Sequence, residues 1–566
     1  MSAIIGKIIQ TKGRITRLIR EPQFRKKCRN PIETQWKFLD HLLQTHRDTD
    51  FGKKYGFQNI SSIPNYQKAV PIHSWAEMRP YIEEVKKGRH TVLFPESDPI
   101  LMFATTSGTT DECKHIPVTK ESYKRWNNTW DLTWANVLRE APRGFYGKAL
   151  YFPGDPQEGF IGHIPHGAIT AKAYEAQSAI IRTVYPYPYQ ISRIKDYQLR
   201  YYTIMRIALE VPVSFIPIAN SSTSLTLFQM AQDRRQDLID DIRFGRLQRT
   251  EDMPQELVRI LKKQIRPNPK RAQELEAIYQ ETGDFLPRDY WKHSLSFVIA
   301  FSSGPSKLYL KRLRKYVGEH IPIFDFGLLA SEARFSFPIS AHQEGCCLAI
   351  ESNFFEFILE DKIQESQPQT LTLDQVEVGK RYYILTTNAS GLYRYNISDV
   401  VEITGFYERV PLISFCHKGK HVASITGEKI TEYQVTESVK RALEKTEYSV
   451  EGFVVCLHWD EQLPHYSFLK GPSPKDSPEV LQKLINLIEE ELLQLNKEYS
   501  SKRASQRLGP LTLKVVQGEV FEEYQNKRKQ ACHNLSQYKH VYLISDPQFE
   551  EQFEFQSEYP ASVLVS

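Results

Sequence analysis

The chain has 566 residues, of which 41% are hydrophobic and 25% charged, and its 73 basic and 68 acidic side chains leave a net charge of +5. That length exceeds one compact unit, so a large multi-lobed domain and a smaller one are expected. The composition excludes a disordered, collagenous or coiled-coil protein, and the near balance of charge argues against a general nucleic-acid binder.

No stretch approaches the ~20 apolar residues that cross a bilayer, so stable membrane insertion is not expected. Residues 1–30, MSAIIGKIIQTKGRITRLIREPQFRKKCRN, hold a single acid, Glu21, among many basic residues. Such a segment suits a transit peptide, a membrane-surface helix or an ordinary amphipathic helix. The last is the expectation, with Ile4, Ile5, Ile8 and Ile9 as its buried stripe. Trp36, Leu39, Leu42 and Leu43 predict a helix over 31–47. Residues 48–57, with Gly52 and Gly56, read as a loop. A helix begins near Ser74, and the apolar run 100–104 is a strand entering a hydroxyl-rich turn.

Between 149 and 337, strand-like runs (149–152, 213–219, 296–301, 321–326) alternate with helical segments (225–245, 254–263, 308–316). This alternation predicts an α/β layered fold with much parallel sheet. Residues 266–287 are charged and proline-bearing, a surface helix and loop. From 347 to 404 the pattern is β, read as antiparallel strands. The basic turn HKGK at 417–420 is a plausible hinge. Beyond it come a helix at 431–444 with a capping box, a strand at 453–457, a helix at 478–497, a strand at 511–516 and a charged helix at 522–534. The expected organisation is a large domain over 1–416, a hinge at 417–422 and a small α+β domain over 423–566. The seven cysteines form no CxxC pair, which points to reduced thiols and a cytoplasmic setting.

Residues 103–114, FATTSGTTDECK, crowd Thr105, Thr106, Ser107, Thr109 and Thr110 around Gly108, with Lys114 following. Hydroxyls and backbone N–H groups can cradle phosphate oxygens, glycine permits close approach, and the lysine supplies positive charge. The glycine spacing is not that of a Walker loop, and a Ser/Thr-rich surface loop is the alternative. In FGLLASEARF (326–335), Glu332 beside Ser331 ends an apolar strand. It is either a hard ligand for Mg²⁺ held with phosphates or a helix N-terminal charge. Asp399, in GLYRYNISDVVEITGF, could accept from two ribose hydroxyls or be a turn aspartate. GEKITE (427–432) and QYK (537–539) each offer one lysine, which alone reads as solvated surface. His163 and His166 in GHIPHG read as a loop rather than a metal pair.

In this order these pieces resemble the Gretchen Hagen acyl acid–amido synthetases, a branch of the adenylate-forming enzymes, over most of the chain. DTDFGKKYGF (48–57) is similar to that family's DTxYGxxYGF stretch, and VPI (70–72) to the VPI that follows it. TSGTT with Lys114, Ile116 and Pro117 is similar to its phosphate loop, and ANSSTSL around Asn220 to an NPS-type segment. The Ser331–Glu332 pair, FFEFI (354–358) and GLYRYNISDVV resemble its SE motif, FEF strand and GLYRYRxGDVV. PLISF (411–415), GEKITE and QYK match its domain junction and C-terminal lysine. Asp111 and Glu112 depart from the small residues usual in the loop. Ser398 replaces a usual glycine, and Lys418 a frequent arginine, losing a bidentate fork.

The resemblance implies adenylation of a carboxylic acid by ATP with Mg²⁺, then acyl transfer to an amine, with an amino acid the expected acceptor. It implies that Thr106, Ser107, Gly108, Thr109, Thr110 and Lys114 hold phosphate, that Ser303 and Gly304 line the adenine pocket, and that Ser331 contributes beside them. Glu332 would hold Mg²⁺, Asp399 the ribose, and Lys418 would lie at the pivot. Lys429 and Lys539 would reach the reacting groups from the small domain. Coenzyme A as acceptor, or a non-catalytic scaffold, are the alternatives.

Overall fold

Two glycines let the first helix, α1 (Ser2–Arg29), lie close on the helix Lys120–Glu140 and the loop after it. A Cβ at Gly6 would stand 2.6 Å from the Phe145 carbonyl oxygen, and one at Gly13 2.3 Å from a Leu138 methyl. The inward face of α1 therefore carries Gly6, Phe24 and Cys28. Ile8 faces outward, against the expected stripe, whereas Ile9 is half-buried and packs on the core beside Phe145 and Leu138. The glycines share the packed face with Ile9. The computed structural model describes residues 2–105, 114–151, 159–169, 177, 182–218, 221–363, 365, 367–418, 422–423, 425, 428, 430–458, 463–504, 508–531, 540–544 and 548–563. The side chains of Ile4 and Ile5 lie outside this description.

The helix Pro31–His46 begins with proline in its first turn, where the missing N–H costs nothing. Residues 48–57 are more ordered than a loop. Thr49 Oγ1 accepts from the Gly52 N–H at 2.9 Å and caps the helix Asp50–Lys54, and a 3₁₀ turn follows at Phe57–Asn59. Burial of Phe51 and Phe57 drives this. Phe51 stacks on Tyr393 with ring centroids 4.5 Å apart.

The first of two compact units comprises Met1–Ile397 and Val401–Phe415. Its described residues form three sheets. In one, β1 (Ile100–Thr105) pairs antiparallel with β2 (His115–Thr119) and parallel with β5 (Ile164–Gly167), and β4 (Gly159–Ile161) is at the far edge. GHIPHG is thus the turn and second strand of a β4–β5 hairpin, not a loop. The second sheet is wholly parallel, in the order β3 (Lys148–Ala149), β6 (Val213–Ile218), β7 (Phe297–Ala300) and β8 (Ile323–Asp325). It is the mixed α/β pattern read from 149–337. The predicted helix 225–245 is two helices, Ser221–Asp233 and Arg235–Phe244. Arg234 leaves helical geometry between them, and its guanidinium stacks on Tyr202 at 4.5 Å.

The third sheet has six strands. Its order is β11 (Asn353–Leu359), β12 (Arg381–Asn388), β13 (Leu392–Tyr407), β14 (Val410–Lys418), β10 (Cys346–Leu348) and β9 (Ser336–Phe337). Its inward side chains join those of Pro31–His46 and of β1 in one core.

The second unit comprises Ser398–Val400 and Cys416–Ser566. A mixed sheet, β20 (Leu543–Ile544), β17 (Phe453–His458), β18 (His465–Lys470), β19 (Thr512–Val516) and β21 (Phe555–Pro560), forms its centre. The helices Glu432–Glu444 and Pro478–Leu495 pack on each other beside it. The capping box expected at Thr431 is present, with Gln434 as its return partner.

Candidate active site

Open α/β sheets bind ligands outside the carboxyl ends of their parallel strands. At that end of β7, the chain passes through Ser302, Ser303 and Gly304 before the helix Lys307–Val317. Gly304 has φ +56, which a glycine adopts without strain. At the same end of β8 stands Asp325. It accepts from Ser302 Oγ at 2.6 Å and from the Gly327 N–H at 2.9 Å. Burial raises the Asp325 carboxyl above its usual range, against those two hydrogen bonds. A cavity of about 210 Å³ opens here, lined by Ser302, Lys307, Arg314, Asp325 and Glu344 among others.

The segment leaving β8 runs from Asp325 to Glu332 and is pinned at both ends. Asp325 fastens one end to Ser302. At the other, Ser331 Oγ donates to the Thr105 carbonyl at 2.9 Å, and Asn388 Nδ2 donates to the Glu332 carbonyl at 3.2 Å. Ala330 N–H to Ala333 O, 3.0 Å, closes the turn that presents Glu332. The SE pair is thus held against the last residue of β1, where the threonine-rich stretch begins.

Glu332 is only 7% exposed, and its carboxylate makes no hydrogen bond or ion pair among the described residues. It lines a small cavity with Ser122, Arg125, Trp126, Arg334, Asn353 and Asn388. Such a carboxylate has room for one outside partner that brings positive charge. A hard cation shared with phosphate oxygens is such a partner, since Mg²⁺ commonly takes one or two carboxylates plus substrate phosphates. Arg334 is buried nearby with its guanidinium 3.6 Å from the Trp130 ring centroid, and burial pushes its pKa down to about 9.

Residues 106–113, with Thr106, Ser107, Gly108, Thr109 and Thr110, lie outside the described residues. The strand ends that bracket them, Thr105 and His115, are cross-strand partners. Lys114 is half-buried, 3.4 Å from the Tyr395 hydroxyl and 5.3 Å from the Trp75 ring centroid. Asp399 belongs to the second unit and is buried within β13. Ser398, before it, has φ +60. The left-handed backbone there accounts for a glycine being favoured at that position. Lys418 ends β14, and its side chain is outside the description, as are Lys429 and Lys539.

Several motif residues prove to be scaffold. Arg394 of GLYRY and Glu356 of FFEFI form a buried ion pair at 2.9 Å. Arg394 also donates to the carbonyls of Gln67 and Val70, both at 2.7 Å. The VPI and FFEFI stretches and the GLYRY strand are therefore one hydrogen-bonded knot. Asn388, which also accepts from the Ser390 N–H at 2.9 Å, carries no sequence signal beyond its place at the end of a β run. Arg334 gave none either, because a guanidinium in an apolar stretch cannot be placed before the Trp130 face that receives it is known.

Comparison with known proteins gives three family matches in chain order. They are the GH3 family N-terminal domain over residues 20–323, the GH3 family central domain over 346–418 and the GH3 family C-terminal domain over 433–548. An indole-3-acetic acid-amido synthetase of Arabidopsis thaliana (GH3.3) is 24% identical over 542 residues, covering 90% of this chain and 89% of that protein. A jasmonoyl–L-amino acid synthetase of Oryza sativa subsp. japonica (GH3.5) is 26% identical over 536 residues, covering 88% and 90%. The solved structure of an acyl acid amido synthetase, GH3.15, matches with a TM-score of 0.81 at 20% identity over 96% of this chain and 98% of that one. A 2-hydroxyisobutyryl-CoA ligase in its postadenylation state shares the fold more distantly, with a TM-score of 0.51 at 10% identity, covering 92% and 90%. With the motifs in family order, the strand-end site built from them and three domain matches that together span most of its length, the chain belongs to the GH3 family.

Proposed function

We propose that this chain is an ATP-dependent acid–amino acid ligase. A carboxylate oxygen of the acid attacks the α-phosphorus of ATP, the bond to the β-phosphate breaks, and pyrophosphate leaves. The nitrogen of an amine, an amino acid in this reading, then attacks the acyl carbon. The bond to AMP breaks, AMP leaves with its electron pair, and the nitrogen gives up a proton, forming the amide. Such steps need positioning and charge neutralisation rather than a protein nucleophile.

The observation that carries this reading is the buried, internally unpartnered Glu332 carboxylate, pinned through Ser331 to the end of β1. Glu332 would hold Mg²⁺, which when bound neutralises phosphate charge. Thr106, Ser107, Gly108, Thr109, Thr110 and Lys114 embrace the phosphates. Ser303 and Gly304 line the adenine site, where the β7 and β8 ends are tied by Asp325. Asp399 accepts from the ribose hydroxyls. Lys429 and Lys539 serve the reacting carboxylate and α-phosphate from the lid, residues 423–566, which turns about 417–422 next to Lys418. The large domain is 1–416. The cytoplasm is the setting, consistent with buried thiols outside any disulfide at Cys28, Cys346, Cys347 and Cys456. The reading is tested by incubating the protein with ATP, a panel of carboxylic acids and mixed amino acids, then weighing the products. An acyl–amino acid with stoichiometric AMP is expected. A thioester formed only when coenzyme A replaces the amino acids would overturn the acceptor, and ADP as the nucleotide product would overturn the chemistry.

A further inference from the structure

α1 carries nine basic side chains and one acid, a net charge of +8 on a chain whose total is +5, so the rest of the molecule is net negative. Arg20, Arg25, Lys27 and Arg29 pair with Glu351 and Glu408, which leaves Lys7, Arg14, Arg17 and Lys26 with no ion pair among the described residues. The outward side of that helix is apolar. Ile8, Ile15, Leu18 and Ile19 are 57%, 51%, 63% and 54% exposed, four of the ten most exposed large apolar side chains among the described residues. Their spacing of seven, three and one places them on one face. Exposed Lys7, Lys12 and Arg14 flank that face. Lys7 and Arg14 form no ion pair among the described residues, and Lys12 has only an exposed partner, Asp131, at 3.8 Å. The opposite side of the helix is fixed against the protein by Gly6, Gly13, Phe24 and Cys28, so α1 cannot roll to bury the stripe without breaking that packing.

We infer that α1 is a peripheral membrane-binding helix that seats on an anionic lipid surface. An apolar stripe rimmed by Lys and Arg is the pattern that lies in the plane of the headgroup boundary. The rim meets the negative potential of phosphatidylserine-type lipids, and the aliphatics enter the acyl boundary. No helix among the described residues is long and apolar enough to cross a membrane, so the attachment is reversible. A protein partner would also cover apolar area, but it would not by itself account for the rim of Lys7 and Arg14, without ion pairs among the described residues, around the stripe.

The test is sedimentation of the full chain with vesicles of phosphatidylcholine alone or with added phosphatidylserine. Binding is expected only to the phosphatidylserine vesicles and should weaken with salt. Combined Lys7→Glu and Arg14→Glu should weaken it by at least about tenfold. Combined Ile15→Ser, Leu18→Ser and Ile19→Ser should abolish it, with circular dichroism unchanged because these side chains face outward. If the serine variant fails to fold, the charge variant decides alone. No sedimentation with phosphatidylserine vesicles at low salt would overturn the inference. So would binding that the charge variant leaves intact, or a dimer in solution that the serine variant converts to monomer.

Discussion

Glu332 separates the chemical reading from a structural one at the scale of a single side chain. Glu332→Gln keeps shape and burial but removes the charge that a metal needs. Activity should fall by about tenfold or more and recover in part at raised Mg²⁺. A variant with full activity and an unaltered Mg²⁺ titration would make Glu332 an ordinary turn residue. His46 gives an independent test of the core. Burial holds its imidazole neutral, with a pKa lowered to about 4, between Leu93 and the Tyr393 hydroxyl. In the unfolded chain it takes up a proton at about pH 6.5. Between those two values the unfolded state binds more protons, so stability present at pH 7 is lost as the pH falls towards 4. The share from His46 is about 3 kcal/mol. Urea midpoints measured from pH 7 down to 4.5 should fall accordingly, and less steeply in His46→Gln. A flat profile in the parent protein would contradict the buried neutral ring.

The short helix Asp50–Lys54 shows what a motif can encode at the scale of an element. A Cβ on Gly52 would lie 2.2 Å from the His46 carbonyl oxygen, inside any tolerated contact. Gly52→Ala should therefore cost about 1–3 kcal/mol through backbone displacement, read as a lowered unfolding midpoint at unchanged m-value. Retained stability would show that the capped turn is optional. The same segment marks the limit of reading from sequence. Its two glycines and charges suggested a loop, because five helical residues are too few to show a period. The alternation from 149 to 337, by contrast, gave the parallel sheet, since its apolar runs around Val213–Ile218 and Phe297–Ala300 are separated by helices of ten residues or more. GHIPHG was misread because its proline and glycines hide a turn and a four-residue strand that pairs with Gly159–Ile161 just before it. Ser331 and Glu332 could be singled out as candidates from their neighbours, whereas the bonds of Asn388 to Glu332 and of Asp325 to Ser302 join residues that the sequence does not set side by side.

For the whole molecule, the account assigns the two half-reactions to different placements of the second unit. Lys539→Ala should lose acid-dependent ATP–pyrophosphate exchange by about 10²–10³, the effect of removing one preorganised charge at the transition state. It should still convert a synthetic acyl-adenylate and amine to amide at a near-normal rate. Equal loss in both half-reactions would remove the domain-alternation part of the account. The central claim, adenylation of a carboxylic acid, is tested most directly by exchange of labelled pyrophosphate into ATP across a panel of acids. The account predicts label in ATP only when a suitable acid is present, with no amine needed and with loss of the signal in Glu332→Gln. Acid-stimulated consumption of ATP to ADP and phosphate, with no label entering ATP, would contradict it.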